Sequence, residues 1–254
     1  MGPAKVTKEH GLDIGPHPHT GLQTVTYLIN GEALHHDSLG TEQLITPGQL
    51  NLMSAGLGVS HSEEATGQYD GTLQGIQLWI AQPDATRRDE PSFEHHGELP
   101  RIQLGDTVAT VLLGEILGVA SPARHDTALV GLDLDITTRA TLPLREDFEY
   151  ALIVLEGSLT INGEPLAPGE LGYLNKGDDQ IDLDADSRTR AILLGGVPFE
   201  GEILMWWNFV ARTRDEIEEA FDSWHEDDGR FGTVASQLER ITTPGPFWRE
   251  PPQR

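Results

Sequence analysis

The chain of 254 residues contains no cysteine, which excludes disulfides, thiolate metal sites and thiol nucleophiles and leaves nitrogen and oxygen as the donors for any metal ion. Forty-one acidic residues against seventeen basic ones give a formal net charge of -24, which repels nucleic-acid phosphates and anionic membrane surfaces alike. No apolar run approaches the roughly 20 residues of a membrane span, and the start MGPAKVTKEHG lacks the basic-then-apolar order of a secretion signal, so a cytoplasmic protein without membrane or direct nucleic-acid partners is expected.

Along the chain, the first segment with chemical content is GPHPHTGLQTVTYLING, residues 15–31. On a strand, residues two apart face the same way, so His17 and His19 present two imidazoles side by side. Short apolar or alternating runs then recur between Gly, Pro and Asp punctuation: TVTYLI, QLNLM, GIQLWIA, VATVLLGEI, ALVGLDLDI, ALIVLEGSL and RAILLGG. This spacing predicts an all-β sandwich or barrel. In LVGLDLDI, Leu132, Leu134 and Ile136 face one way and Asp133 and Asp135 the other, so one face is core and the other solvent.

Helical periodicity is convincing only in TRDEIEEAFDSW, where Thr213 and Glu216 have the spacing of a capping box and Ile217, Phe221 and Trp224 share a face. Gly229 is the expected stop. The tail TTPGPFWREPPQR is too rich in proline for regular structure. It is expected to run extended over the surface, with Phe247 and Trp248 packed onto the body.

An internal repeat organises these elements. TVTYLINGEAL followed by TPGQLNLM, residues 24–53, is echoed by YALIVLEGSLT followed by APGELGYL, residues 150–174. Both read as strand, Gly turn, strand, Pro-Gly turn, strand. Aligning Gly31 with Gly157 and Pro47-Gly48 with Pro168-Gly169 needs one gap of five residues. Two similar barrels in tandem follow, joined near residues 120–128.

Where the first barrel's chain returns, AGLGVSHSEEATG repeats the spacing of the first pair with His61 and Glu63. Two such pairs on neighbouring strands would surround one ion with three imidazoles and a carboxylate, leaving two positions of an octahedron open. These donors suit ferrous iron, and equally serve zinc, copper, nickel or manganese. Glu64 faces the other way and is expected in solvent. His35 and His36, in ALHHDSLG, either orient a ligand or simply form a polar turn, and His95 and His96 are expected on a surface loop, FEHHGELP. In the second copy the positions matching His17, His19, His61 and Glu63 are Pro143, Arg145, Asp182 and Asp184, and no histidine lies between His125 and His225. The second barrel is expected to hold no such ion.

The segments GPHPHTGLQTVTYLINGE, HHDSLG, TPGQLNLMSAGLGVSHSE, WWNFVARTRDEIEEAFDSW and RFGTV together resemble those of the pirins, a bicupin group of the cupin superfamily. The resemblance implies two tandem cupin β-sandwich barrels: a metal-binding one over residues 1–120 that lacks its first strands, and a degenerate one over 121–254 with a helix at about 213–228 and the tail. It implies one iron held by His17, His19, His61 and Glu63. It further implies either a quercetin 2,3-dioxygenase, opening a flavonol with O2 and releasing carbon monoxide, or a redox-responsive regulator whose partner is a transcription factor or a metabolic enzyme. In the enzyme, Glu63 is the first candidate for the base that takes the flavonol's 3-hydroxyl proton.

Two departures from the family pattern stand out. Gln23 occupies the position, four after His19, where ordinary cupins place a ligand glutamate and pirins often carry Glu. A neutral group there makes the site less negative. Only sixteen residues precede His17, where pirins have further strands ending in a stretch like DHxGP. The natural protein is therefore expected to begin upstream, or an oligomer or the second barrel to cover the resulting gap.

Overall fold

The computed structural model describes residues 1–8 and 10–249. Its contacts divide the chain into two compact units, Met1–Gly97 with Gly201–Arg254, and Glu98–Glu200. The junction expected near 120–128 therefore falls inside the second unit, and the helix and tail group with the first. Backbone bonds explain that return: Val210 N–H donates to Thr20 O at 3.0 Å and Ile241 N–H to Pro16 O at 2.8 Å. The Ser60 hydroxyl adds a 2.8 Å bond to Phe231 O.

The first unit contains two antiparallel sheets. One runs in the order Ala4–Val6, Gly71–Ala81, Leu22–Asn30, Leu50–Ser54, Ser92–His96; the other in the order Ile14–His19, Val59–Glu64, Ala33–Asp37, Glu42–Ile45. The central strand Leu22–Asn30 is buried along nearly its whole length, which explains its β-branched and aromatic composition. Ala4–Val6 forms an edge strand along Gly71–Leu73, and the partly buried Val6 and Leu12 pack on the buried Leu28, Ala33, Ile45 and Leu73.

The helix Arg214–Glu226 starts as its sequence requires. The Thr213 side chain accepts from Glu216 N–H, and Ile217, Phe221 and Trp224 are buried. Glu216 reaches back to Arg212 N–H at 2.8 Å, one residue before the cap. The stop comes two residues before Gly229: Asp227 caps the helix in the left-handed conformation, and its N–H donates to Ser223 O. Aspartate tolerates that conformation where most side chains do not. In the tail, Trp248 donates to Glu218 at 2.8 Å and packs beside Trp206. Phe247 does not join the body; it is 84% exposed, on the outside of a turn closed by Arg249 N–H donating to Pro246 O at 2.9 Å.

The second unit is also a pair of sheets. The larger runs Arg101–Leu104, Thr107–Ile116, Leu129–Ile136, Thr189–Gly196, Glu149–Glu156, Leu171–Leu174, with Val119–Ala120 beside Thr107–Ile116. The smaller runs Arg139–Pro143, Gln180–Asp184, Leu159–Ile161, Glu164–Leu166. Leu132, Leu134 and Ile136 are fully buried in its core. The opposite face is less open than the alternation suggests: Arg190 grips Asp133 with bonds of 2.8 and 2.6 Å, and Arg188 grips Asp135 with bonds of the same two lengths.

The repeat is visible in the turns. Gly31 and Gly157 have φ of 90° and 85°, and Gly48 and Gly169 of 83° and 82°, conformations open to glycine at no steric cost. Gly48 N–H donates to Leu28 O and Gly169 N–H to Val154 O. Gln49 accepts from Thr46 N–H at 3.0 Å, as Glu170 accepts from Ala167 N–H at 2.8 Å.

Candidate metal centre

Strand Ile14–His19 pairs with Val59–Glu64 in a register that sets His17 opposite His61. Side chains two apart on each strand then share a face. The result is that one donor nitrogen from each of His17, His19 and His61 lies within 4.8 Å of the others. Among the described residues, no other set of three His, Asp or Glu side chains is gathered in this way.

Hydrogen bonds fix which nitrogen each ring offers. His17 Nδ1 donates to Gly15 O at 2.9 Å, which leaves its Nε2 lone pair free. His61 is set by a chain of three groups. The Asp37 carboxylate accepts from His35 Nε2 at 3.2 Å, so His35 Nδ1 is an acceptor and faces His61 Nδ1 at 3.4 Å. That contact assigns the His61 proton to Nδ1 and its lone pair to Nε2. Asp37 is itself anchored by the backbone N–H groups of Leu39 and Thr41 at 2.9 and 3.0 Å, and the His35 ring stacks on Phe93 at 4.5 Å.

The facing nitrogens test the fit to a metal. His19 Nε2 and His61 Nε2 are 3.0 Å apart, and two lone pairs that close repel unless a proton or cation lies between their directions. Neighbouring ligands of an octahedral ion with bonds of about 2.1 Å stand about 3.0 Å apart. His19 is fully buried, and outside the histidine cluster its polar neighbour is the backbone of Asn208. Burial, reinforced by the neighbouring imidazoles, lowers the pKa of His19 and His61 well below the ordinary value, and burial lowers that of His17 as well. All three rings are neutral at pH 7, the form that ligates. The donor set therefore fits a borderline divalent ion.

Glu63 stands apart from this trio. Its Oε1 accepts from Gln77 Nε2 at 2.6 Å and from Thr26 Oγ1 at 3.4 Å. Burial, only partly offset by these bonds, pushes its pKa up to about 7. Gln23 is buried, donates to Ser54 at 2.9 Å and leaves Oε1 unpartnered. Trp79 meets His19 edge-on at 5.2 Å and is 40% exposed, an aromatic surface beside the centre.

The remaining expectations sort as follows. Glu64 is half-buried, not solvated: it accepts from Ser62 at 2.6 Å and lies 3.4 Å from His36. His35 and His36 occupy strand Ala33–Asp37 and not a turn. His95 and His96 end strand Ser92–His96 and are half-buried, with His95 bonded to Asn51 at 2.7 Å, because that strand pairs with Leu50–Ser54. In the second unit, Thr141 donates to Asp182 at 2.6 Å, Asp184 pairs with Arg139, and Arg145 pairs with Asp147 at 2.7 Å. The signal for His35, Asp37 and Phe93 was weak, since three separate segments meet only in the folded sheet pair.

Two strand sandwiches of one plan in one chain, with a histidine cluster between paired strands of the first, define a bicupin with a candidate metal centre. Residues 1–80 match the pirin family and residues 129–232 the pirin C-terminal cupin domain. A Pseudomonas aeruginosa protein named "Putative quercetin 2,3-dioxygenase" is 46% identical over 98% of this chain and 79% of its own. A pirin-like protein of Caulobacter vibrioides is 35% identical over 88% of this chain and 80% of its own. The crystal structure of quercetin 2,3-dioxygenase from Acinetobacter baumannii, 42% identical, covers 98% of this chain and 84% of that chain with a TM-score of 0.94. The chain belongs to the pirin family.

Proposed function

We propose that this pirin is an Fe(II)-dependent dioxygenase that opens flavonols such as quercetin with O2, acting in the cytoplasm. The observation that carries this reading is the convergence of three buried, neutral imidazoles on one point, supported by the names of relatives that align over nearly the whole chain. A bound ferrous ion would supply a Lewis acid that acidifies an attached hydroxyl and a redox partner for oxygen.

The chain's residues divide the remaining work. His17, His19 and His61 hold the ion, with Glu63 as the fourth donor, and the bonds to Gly15 and His35 keep two of the rings aimed. Trp79, partly exposed beside His19, offers aromatic surface to an aromatic substrate. Once Glu63 loosens from the ion, its Oε2, which carries neither of the bonds to Gln77 and Thr26, is the atom that takes the 3-hydroxyl proton.

The test is oxygen uptake by protein loaded anaerobically with Fe(II), on adding quercetin and related flavonols, beside the His17→Ala variant. Uptake that requires both flavonol and His17 supports the dioxygenase. No uptake by iron-loaded, folded protein refutes it and directs attention to the regulatory role that the family resemblance also implies.

A further inference from the structure

We propose that the second unit carries its own ligand site, for a small aromatic molecule bearing a carbonyl or carboxylate oxygen. The site is a cavity of about 380 Å³ walled by Ile116, Val130, Leu144, Phe148, Tyr150 and Leu193. Cores are packed with few voids larger than a water molecule, whereas ligand cavities run from about 300 to 1,000 Å³. This volume is at the small end of that range and fits one or two rings.

One polar group in the wall sets what the ligand must offer. Tyr150 is 4% exposed, and its hydroxyl oxygen accepts Arg145 N–H at 2.8 Å. Among the described residues, no acceptor receives the phenolic proton, and a buried hydroxyl is normally satisfied in both roles. Burial raises the Tyr150 pKa, so the group stays a donor at neutral pH. An oxygen acceptor on the ligand completes it.

The wall is shaped to present this group. Tyr150 pairs across the sheet with Gly195, and a Cβ at that glycine would stand 2.3 Å from the Tyr150 ring. Only glycine lets the ring lie flat along the strand. Over the neighbouring Phe148 ring, 4.2 Å from its centroid, sits the Arg145 guanidinium, a planar cationic surface of the kind that aromatic ligands stack on. Its bonds to Asp147 are made at the surface, with both side chains more than half exposed. Such a pair is weak and exchangeable, so the guanidinium can turn to a ligand oxygen. The exposed Glu115 also lines this rim and Asp147 pairs with the Arg145 at its edge, which is why recognition rests on the phenol and the apolar walls and not on charge alone.

The experiment titrates 1-naphthoate, 1-acetonaphthone and naphthalene into the full chain, reading binding by ligand-observed NMR, with folding of each variant checked by thermal melting. The two oxygenated probes are expected to bind at least tenfold more tightly than naphthalene. Tyr150→Phe removes that advantage, Leu144→Trp at the half-buried rim blocks all three, and His17→Ala changes none of them. Absence of binding to folded protein, binding that persists through both Tyr150→Phe and Leu144→Trp, or binding lost in His17→Ala would each overturn the proposal. The last outcome assigns the probes to the metal centre, so the result is independent of the dioxygenase reading.

Discussion

Replacing His35 by phenylalanine isolates the hydrogen-bonded chain behind the metal centre. The new ring keeps the stack on Phe93, 4.5 Å away, but removes both nitrogens that link Asp37 to His61. Asp37 retains its two backbone bonds through Oδ1 and loses only the bond at Oδ2. One broken charge-assisted bond at a buried carboxylate costs about 1–3 kcal/mol of stability. The larger consequence is for His61, whose proton is no longer held on Nδ1 and whose ring is free to turn. Loss of such outer partners typically lowers metal affinity about 10–100-fold, or about 1.4–2.7 kcal/mol. Competition with a chromophoric chelator for Zn(II) or Co(II) measures this directly and needs no turnover. His36→Phe is the control, since His36 lies against Glu42 and Glu64 and not in the chain, and it is expected to bind metal as the natural protein does. A His35→Phe affinity within twofold of the unaltered protein would show that His61 is oriented by something else.

Further predictions follow from the same geometry. Glu63→Gln keeps the three imidazoles and is expected to retain bound metal while flavonol-dependent oxygen uptake falls at least ~100-fold, the usual effect of losing a general base; unchanged uptake assigns the proton elsewhere. Burial works against ionisation of Glu216, but the bonds from Arg212 N–H, Arg87 and Arg88 outweigh it and hold its pKa at about 2. Because the folded pKa lies below the unfolded one, the stabilisation is fully present above about pH 4.5 and is lost as pH falls toward 2. Discounted for the part of the side chain that meets water, it amounts to roughly 1–2 kcal/mol. Denaturant melts of Glu216→Gln should show that deficit at pH 7 and little of it near pH 2.5. Thr213→Ala removes the bond to Glu216 N–H and should cost about 1 kcal/mol, a drop of about 2–4 °C in midpoint.

Much of the architecture is legible before folding because period-two alternation and glycine turns are local signals. Leu132, Leu134 and Ile136 declare their buried face in eight residues, and the two Pro-Gly turns declare the repeat. The candidate histidines are legible for the same reason: His17 and His19 are written within three residues, His61 repeats their strand setting, and only the convergence of the three needs the sheet. What local pattern cannot encode is return and partnership. Nothing near Thr213 states that its helix packs with the first unit, since that depends on bonds such as Val210 to Thr20. Asp133 looks like a solvent residue until Arg190, 57 positions later, is placed beside it. His35 reads either as a ligand-orienting residue or as part of a polar turn until Asp37 and His61 lie on either side of it, and Phe247 reads as core because hydrophobicity alone does not show which way the tail turns.

The matched Pro-Gly turns of the two units have a consequence for how such a chain can change. Each turn is closed by its own glycine, its own backbone bonds and one side chain within three residues, Gln49 or Glu170. None of these atoms belongs to the histidine trio or to the cavity of the second unit. Instructions for folding and equipment for chemistry are thus written in different letters of the same segment. A duplicated copy can lack the histidine trio and still fold, and selection is then free to change the chemistry of one half without rewriting its turns.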